Sequence, residues 1–439
     1  MFDSLHAQPG GRVKGRLRVP GDKSISHRSV MLGALAEGTT RVSGFLEGAD
    51  AVATANIFRS LGVRIEGPRE GEVTIEGVGL DGLSAPAAPL DCGNSGTTMR
   101  LLCGLLAGQR FEARLVGDES LGRRPMRRVI DPLATMGARI DSNEGRPPLV
   151  VHPVAALRAT DVSLAVASAQ VKSALLLAGL YADGTTRVTE PAPTRDHTER
   201  MLTAFGVPVA RDGATVSVTG GGRLRACRIE VPADISSAAF FLVAASICPG
   251  ADLELVHVGM NPTRIGVLHI LRAMGADITE SSVRTVGGEP VADLRVRGAR
   301  LRGIEIPPEW VPLAIDEFPA LFIAAVCAEG RTVLRGAGEL RVKESDRIAV
   351  MAEGLERLGV IVEPLEDGMV IDGRGGEPTP LGGGSVESHA DHRIAMSFAV
   401  ASLRASGPIE IRDAANVDTS FPRFAQLASS VGIPIEARR

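Results

Sequence analysis

The sequence predicts an α/β protein of two lobes, each built from three β-α-β-α-β-β units. Three observations carry this reading. A short glycine motif recurs six times, each copy sits between a helix-patterned and a strand-patterned segment, and most units also hold an earlier, more apolar helix.

The motif is an apolar residue, Gly, then a small or apolar residue: Leu61-Gly62-Val63, Met136-Gly137-Ala138, Phe205-Gly206-Val207, Met274-Gly275-Ala276, Leu358-Gly359-Val360 and Val431-Gly432-Ile433. The glycines lie 75, 69, 69, 84 and 73 residues apart. One such tripeptide is commonplace; six at near-even spacing mark an internal repeat of roughly 70 residues. Before the glycines, segments such as Ala51 to Leu61, His197 to Phe205 and Val350 to Leu358 place apolar residues at three- and four-residue spacing, the signature of one helix face. The Gly then falls where a left-handed residue ends a helix, and a strand follows. The more apolar helices are expected at Val30 to Ala36, Val171 to Tyr181, Ala238 to Ile247, Pro319 to Ala328 and Ile394 to Leu403. Each runs into a turn and a strand, as in Gly38-Thr39-Thr40-Arg41-Val42 and Gly184-Thr185-Thr186-Arg187-Val188.

Composition bounds the rest. With 439 residues the chain has room for two to four domains, at about 150 residues each. Apolar residues make up 44% but aromatics only 3%, so the cores should be aliphatic, and 51 glycines imply many tight turns. A net charge of −4 weighs against nucleic acid or an acidic membrane as the main partner. The five cysteines, Cys92, Cys103, Cys227, Cys248 and Cys327, form no C-x-x-C pair and read as buried structural thiols. The first residues lack an apolar leader, and the run from Ala238 to Cys248 is too short to span a bilayer; a cytoplasmic protein is expected.

Polar residues cluster where the apolar helices begin: Gly21 to Arg28, Gly93 to Thr98, Ala167 to Gln170, Asp234 to Ser237, Asp316-Glu317 and Asp391-His392-Arg393. A helix start offers unpaired N–H donors and a positive dipole end. One such end contributes about 0.3–1 kcal/mol when exposed and ~2 when partly buried, too little to hold a dianion. Formal cations stand nearby: Lys23, Arg28, Arg124, Arg195, Lys343, Arg347 and Arg393. If Arg341 to Arg347 is helical, Lys343 and Arg347 share a face one turn apart. Taken singly each feature has an ordinary explanation. Ser168 and Asp234 are natural caps, Gly93 to Thr98 could be a plain helix start, Lys343 to Arg347 a solvated charged face, and Asp316 a cap. The recurrence at equivalent repeat positions favours a site.

At these residues the chain resembles a known family. Pro20-Gly21-Asp22-Lys23-Ser24-Ile25-Ser26-His27-Arg28 resembles the N-terminal signature of EPSP synthases, and Leu90 to Arg100, containing Gly93-Asn94-Ser95-Gly96-Thr97-Thr98, their second. Arg341 to Ile348 is similar to a third and Asp391 to Met396 to a fourth, so the resemblance covers nearly the whole chain. It implies a two-lobed inside-out α/β barrel whose lobes, joined by a two-strand hinge, close over substrate. One lobe would be 1–19 plus 234–439 and the other 20–233.

The resemblance implies transfer of the enolpyruvyl group of phosphoenolpyruvate to the 5-hydroxyl of shikimate 3-phosphate. Asp316, Glu344 and Lys23 would be catalytic. Lys23, Ser24, Arg28, Ser168, Ala169 (by its backbone), Gln170, Arg195, Asp316 and Lys343 would hold shikimate 3-phosphate. Lys23, Asn94, Gly96, Arg124, Gln170, Arg347 and Arg393 would hold phosphoenolpyruvate. No metal or organic cofactor, nucleic acid or membrane is implied, and the enzyme is expected to be a monomer. Two phosphates carry about −3 to −4 together and two carboxylates add to that; seven cations suit such a load and would repel one another over a neutral substrate.

Two departures stand out. Many family members carry a Lys shortly before the final Phe-Pro, whereas Asp418-Thr419-Ser420 precedes Phe421-Pro422 here; and Ala169 replaces a Ser common in part of the family. Both, with Arg195-Asp196-His197, resemble the branch that includes glyphosate-tolerant enzymes, while Gly96 is the residue of sensitive ones. Three rival readings remain. The sister enolpyruvyl transferase acting on UDP-N-acetylglucosamine typically has a reactive Cys where this chain has Asp118 to Arg124. RNA 3′-phosphate cyclase is disfavoured by the acidic balance. A non-catalytic anion-binding repeat protein would not need Asp316 and Glu344 beside cations.

Overall fold

The six repeated glycines govern the local architecture. In the computed structural model, which describes residues 3–438, all six adopt left-handed φ values between 77° and 96°. Each follows a helix (Ala49–Ser60, Arg127–Thr135, His197–Ala204, Gly266–Ala273, Arg347–Arg357 and Phe424–Ser430). In every copy the N–H of the residue after the glycine returns to a carbonyl five positions back: Val63 to Phe58, Ala138 to Leu133, Val207 to Leu202, Ala276 to Leu271, Val360 to Leu355 and Ile433 to Ala428, at 2.9–3.2 Å. This is the Schellman closure, which satisfies carbonyls the helix end would leave open. A strand begins two or three residues later in each case, at Arg64, Arg139, Val209, Asp277, Val362 and Ile435.

The chain divides into two compact units, one of Gly21–Val231 and one of the residues up to Pro20 together with those from Pro232 onward. The first contains three four-stranded sheets, ordered Arg228–Glu230, Glu37–Ser43, Glu72–Val78, Arg64–Arg69; Leu90–Asp91, Ala113–Val116, Arg146–His152, Arg139–Asn143; and Asp161–Ser163, Thr185–Thr189, Thr215–Thr219, Val209–Asp212. In each the first pair is parallel and the others antiparallel. Register aligns one apolar row across each sheet: Ile229, Val42 and Val73; Leu90, Leu115 and Leu149; Val162, Val188 and Val216. Strand alternation directs such rows to one face, and these line the unit's aliphatic core.

Helices of this unit that matter below are α1 (Lys23–Leu35), α2 (Ala49–Ser60), α3 (Gly96–Ala107), α4 (Ala169–Gly179) and α5 (His197–Ala204). Helices α3 and α4 approach so closely at Gly104 that an added Cβ would lie 1.9 Å from Ala174 O. Glycine there is a packing requirement, since a methyl would have to displace a backbone.

The second unit carries α6 (Ile235–Ile247), α7 (Phe318–Val326), α8 (Arg347–Arg357) and α9 (His392–Ala401). Every residue of α6 is buried; a helix apolar on all sides belongs in a core. The N-terminal strands complete this unit's sheets. Lys14–Leu17 runs parallel to Asp252–Gly259, and Ser4–Ala7 lies between Ile409–Arg412 and Ile435–Arg438. The expectation of purely aliphatic cores needs one correction: Phe240, Phe241, Phe421 and Phe424 form an aromatic island here, with 5.3 Å between the last two ring centroids. Four cysteines are buried and Cys227 is half-buried; burial pushes the thiols of Cys103 and Cys327 up to about 12, leaving them inert at neutral pH. Among the described residues no helix is long and apolar enough to cross a membrane.

Candidate active site

All six polar clusters open helices. Asp22, Ser95, Ser168, Asp234 and Asp391 are N-caps whose side chains accept from the N–H groups of Ile25, Thr98, Val171, Ser236 and Arg393, and Glu317 is the residue before α7. The capping role expected for Ser168 and Asp234 is thus met, yet the same geometry leaves first-turn N–H groups of each helix pointing outward along its axis.

In the unit Gly21–Val231, Lys23 begins α1 and ion-pairs with buried Asp50 of α2. Arg28, one turn on, is buried. Its Nε donates to Thr198 Oγ1 (2.6 Å), Nη2 to Ser173 Oγ (2.9 Å) and Nη1 to the carbonyl of Ser24 (3.0 Å). These bonds tie α1 to α4 and α5. At the start of α3, Arg124 Nη2 donates to Asn94 Oδ1 (2.7 Å), while Asn94 donates to Asp118 (2.7 Å). Gln170 of α4 accepts from Arg100 (2.6 Å) and donates to Thr97 Oγ1 (2.9 Å). A Cβ on Gly96 would meet Arg100 Nη1 at 3.0 Å and Arg124 Nη1 at 3.2 Å, so the bare backbone there leaves both guanidinium groups their positions. Ser168 and Ala169 open α4, and Arg195 lies half-buried in the loop leading to α5.

His27 is buried between helices, its Nδ1 2.8 Å from Thr54 Oγ1 and 3.3 Å from Thr98 Oγ1, with no hydrogen-bond partner on Nε2. Burial first, then the charges of Lys23 and Arg28, hold its pKa well below the usual value, so it is neutral at pH 7.

In the other unit, Arg347 is the hub. It is the first residue of α8 and fully buried, and it donates to three carboxylates: Nε to Asp391 Oδ2 (2.8 Å), Nη2 to Glu344 Oε2 (2.7 Å) and Nη1 to Asp316 Oδ1 (3.1 Å). Burial opposes its charge, but Asp391, then Glu344 and Asp316, outweigh burial and raise its pKa further. Burial likewise opposes ionisation of Asp391, and Arg347 overrides it to hold that carboxyl below its ordinary value. Lys343 Nζ lies 3.5 Å from the same Asp316 oxygen. Arg393 Nη1 donates to the carbonyl of Asp316 (2.9 Å) and lies 3.6 Å from Glu317.

Two expectations change. Arg341 to Arg347 is not one helix: a 3-10 turn spans Gly338–Val342, residues 343–346 are irregular, and α8 starts at Arg347. Lys343 and Arg347 converge on Asp316 through tertiary folding rather than helix periodicity. Nor would the cations form a repulsive cluster by themselves, because Lys23, Lys343, Arg347 and Arg393 each have a carboxylate beside them, as buried charge requires. The sequence reading gave no role to Asp50, Thr97, Arg100, Glu317 or Asp391. Asp391 and Arg100 stood inside the quoted motifs, and their buried positions on or beside helix starts were the available signal. Before Phe421 the chain forms a one-turn helix, Val417–Ser420, without a lysine. Among the described residues no group of three or more His, Cys, Asp or Glu side chains could hold a metal.

In each unit, cationic groups with carboxylates beside them stand at the starts of buried helices in an α/β fold, an arrangement of the class that suits small, multiply charged anions. The comparisons narrow this. The profile of EPSP synthase (3-phosphoshikimate 1-carboxyvinyltransferase) matches residues 7–427. The chain is 67% identical over 432 residues to the 3-phosphoshikimate 1-carboxyvinyltransferase of Alkalilimnicola ehrlichii, covering 98% of this chain and 96% of the relative. It is 65% identical over 431 residues to that of Methylococcus capsulatus, covering 98% of each. Its fold matches the solved EPSP synthase of Acinetobacter baumannii with a TM-score of 0.90 at 56% identity, over 100% of both chains. The chain therefore belongs to the EPSP synthase family, transferases of the 3-phosphoshikimate 1-carboxyvinyl class, and the reading as the UDP-N-acetylglucosamine enzyme falls away.

Proposed function

We propose that this chain joins phosphoenolpyruvate to the 5-hydroxyl of shikimate 3-phosphate with Asp316 and Glu344 as its acid–base pair. The observation that carries this is that one buried guanidinium, Arg347, holds both carboxylates while their side chains stay 14% and 22% exposed. Fixed yet reachable carboxylates suit proton transfer. Asp316 takes the hydroxyl proton as the oxygen attacks C2 of the enol; Glu344, in its protonated form and with Lys23 assisting, supplies the proton to C3 and later takes one back, and the proton on Asp316 leaves with the phosphate. Loss of phosphate and of a C3 proton from the tetrahedral intermediate then restores the alkene.

Lys23, Ser24, Arg28, Ser168, Ala169, Gln170 and Arg195, with Asp316 and Lys343, hold shikimate 3-phosphate. Lys23, Asn94, Gly96, Arg124 and Gln170, with Arg347 and Arg393, hold phosphoenolpyruvate. Arg347, given its three carboxylate partners, acts on the donor mainly by placing Asp316 and Glu344. On the same reading the units are lobes of an inside-out α/β barrel with three β-α-β-α-β-β repeats each. The six Schellman-closed helices and the grouping of strands into several small sheets support that. The same reading makes the enzyme a cytoplasmic monomer; the exposure of only four large apolar side chains among the described residues supports the monomer.

The test is phosphate release from phosphoenolpyruvate with and without shikimate 3-phosphate, in the native chain and in Asp316→Ala. Release should require the acceptor, and kcat should fall by about 10²–10⁴ in the variant. Undiminished turnover in Asp316→Ala would remove Asp316 from the acid–base pair.

A further inference from the structure

Unit Gly21–Val231 contains a buried ion cluster that the reaction itself does not use. Lys172, in the first turn of α4, is 0% exposed. Its Nζ donates to Glu190 Oε2 at 2.8 Å and lies 2.7 Å from Glu199 Oε1. Glu190 and Glu199 are buried as well. Thr194 donates to the other oxygen of Glu190. A lysine sealed from water between two carboxylates is unfavourable as a stabilising device, because desolvation offsets most of the attraction. Its worth lies in what it fixes.

The three partners stand on three segments. Lys172 is two residues past Gln170 on α4, Glu199 is on α5, and Glu190 begins the loop that carries Thr194 and Arg195 into α5. The neighbours of Lys172 and Glu199 in sequence, Ser173 and Thr198, are the two hydroxyls that hold Arg28, and Thr198 donates to Ser173 at 2.7 Å. One ammonium group therefore sets the spacing of α4, α5 and the loop, from which Ser168, Gln170 and Arg195 are presented and against which Arg28 of α1 is held.

We propose that Lys172, with Glu190 and Glu199, is the positioning residue of the shikimate 3-phosphate site. It does not touch substrate. It holds the loop and two helix starts at the separation that lets Arg28, Arg195 and Ser168 act on one ligand. The inference rests on the assignment of those three residues to shikimate 3-phosphate.

Lys172→Met, Glu190→Gln and Arg195→Ala, each with intact circular dichroism, are compared by steady-state kinetics in both substrates and by direct binding of shikimate 3-phosphate. In Lys172→Met the KM and dissociation constant for shikimate 3-phosphate should rise about tenfold or more, and in Glu190→Gln by about threefold to tenfold. KM for phosphoenolpyruvate should stay within about twofold. A merely structural role would lower stability without this split between substrates. If Lys172→Met does not yield folded protein, Glu190→Gln decides alone. Unchanged shikimate 3-phosphate binding in the folded variants, or equal changes for both substrates, overturns the proposal. Arg195→Ala separates the causes: if it weakens shikimate 3-phosphate while the Lys172 and Glu190 variants do not, only the positioning role fails. If it too has no effect, the site assignment falls and takes the proposal with it.

Discussion

Among the described residues, Arg347 in one unit and Lys172 in the other are cations sealed from water and gripped by two or more carboxylates, and the two hubs differ in what they leave open. Arg347 holds three carboxylates, of which Asp391 is sealed while Asp316 and Glu344 remain partly exposed. Lys172 holds two, Glu190 and Glu199, with side chains only 1% and 10% exposed. The guanidinium has five donors in a planar fork and can serve several acceptors in fixed directions; an ammonium is a compact point charge. A hub that spreads its donors to partly open acceptors can prepare groups for chemistry. A hub closed on every side can only hold segments in place.

The largest expected effect tests that distinction. Arg347→Lys keeps the charge but cannot reach three carboxylates at once. It should lower kcat by about 10³ or more and destabilise the protein by about 3–5 kcal/mol, as loss of a buried ion partner does, read by denaturant titration beside phosphate release. Lys172→Met should show a comparable stability loss with a much smaller change in kcat. A Lys172→Met variant whose kcat collapses as far as that of Arg347→Lys would erase the contrast between the hubs.

A middle-sized effect is acid sensitivity, in which the two units should separate. Asp391 has a folded pKa below its unfolded value, so its contribution is complete above about pH 4 and is lost as pH falls through the lowered folded value. His27 also has a lowered folded pKa, so the sign is the same and only the pH window is higher. Its unfolded form gains a proton below about pH 6.5 while the folded form does not, so stability declines from that point toward the folded pKa. Asp391→Asn should flatten the lowest limb of a stability–pH curve and His27→Gln the limb just below neutrality. A curve unaltered near pH 6 in His27→Gln would show that the histidine titrates equally in both states.

The smallest effect concerns Gly96. A methyl there would stand 3.0–3.2 Å from the guanidinium ends of Arg100 and Arg124, close enough to demand a shift of a few tenths of an ångström but not a clash with backbone. Gly96→Ala should therefore raise the inhibition constant for glyphosate more than the KM for phosphoenolpyruvate. Equal changes would place the donor away from this helix start.

Much of the fold was legible because helix ends and periodicity are local. Six glycines predicted as left-handed helix terminators are that, and the apolar helices begin within a turn of the polar clusters that announced them. The candidate site was legible as residue types and only partly as geometry. Arg347 meets Asp316 and Asp391 across 31 and 44 residues of chain, and nothing local marks which carboxylate a cation will face. For the same reason Lys172, set in an apolar helix, matches no motif, and the run through Lys343 reads as helical in sequence although a 3-10 turn ends just before it.

The strand arrangement around the N-terminus has a consequence for biosynthesis. Ser4–Ala7 is synthesised before the segment Gly21–Val231, yet its sheet neighbours, Ile409–Arg412 and Ile435–Arg438, are synthesised after it. The segment Gly21–Val231 can fold on the nascent chain while Ser4–Ala7 waits, without these partners, for about 400 residues of synthesis. The unit begun before Gly21–Val231 is thus completed after it, and its exposed strand edges make the waiting interval the stage at which chaperone protection matters most.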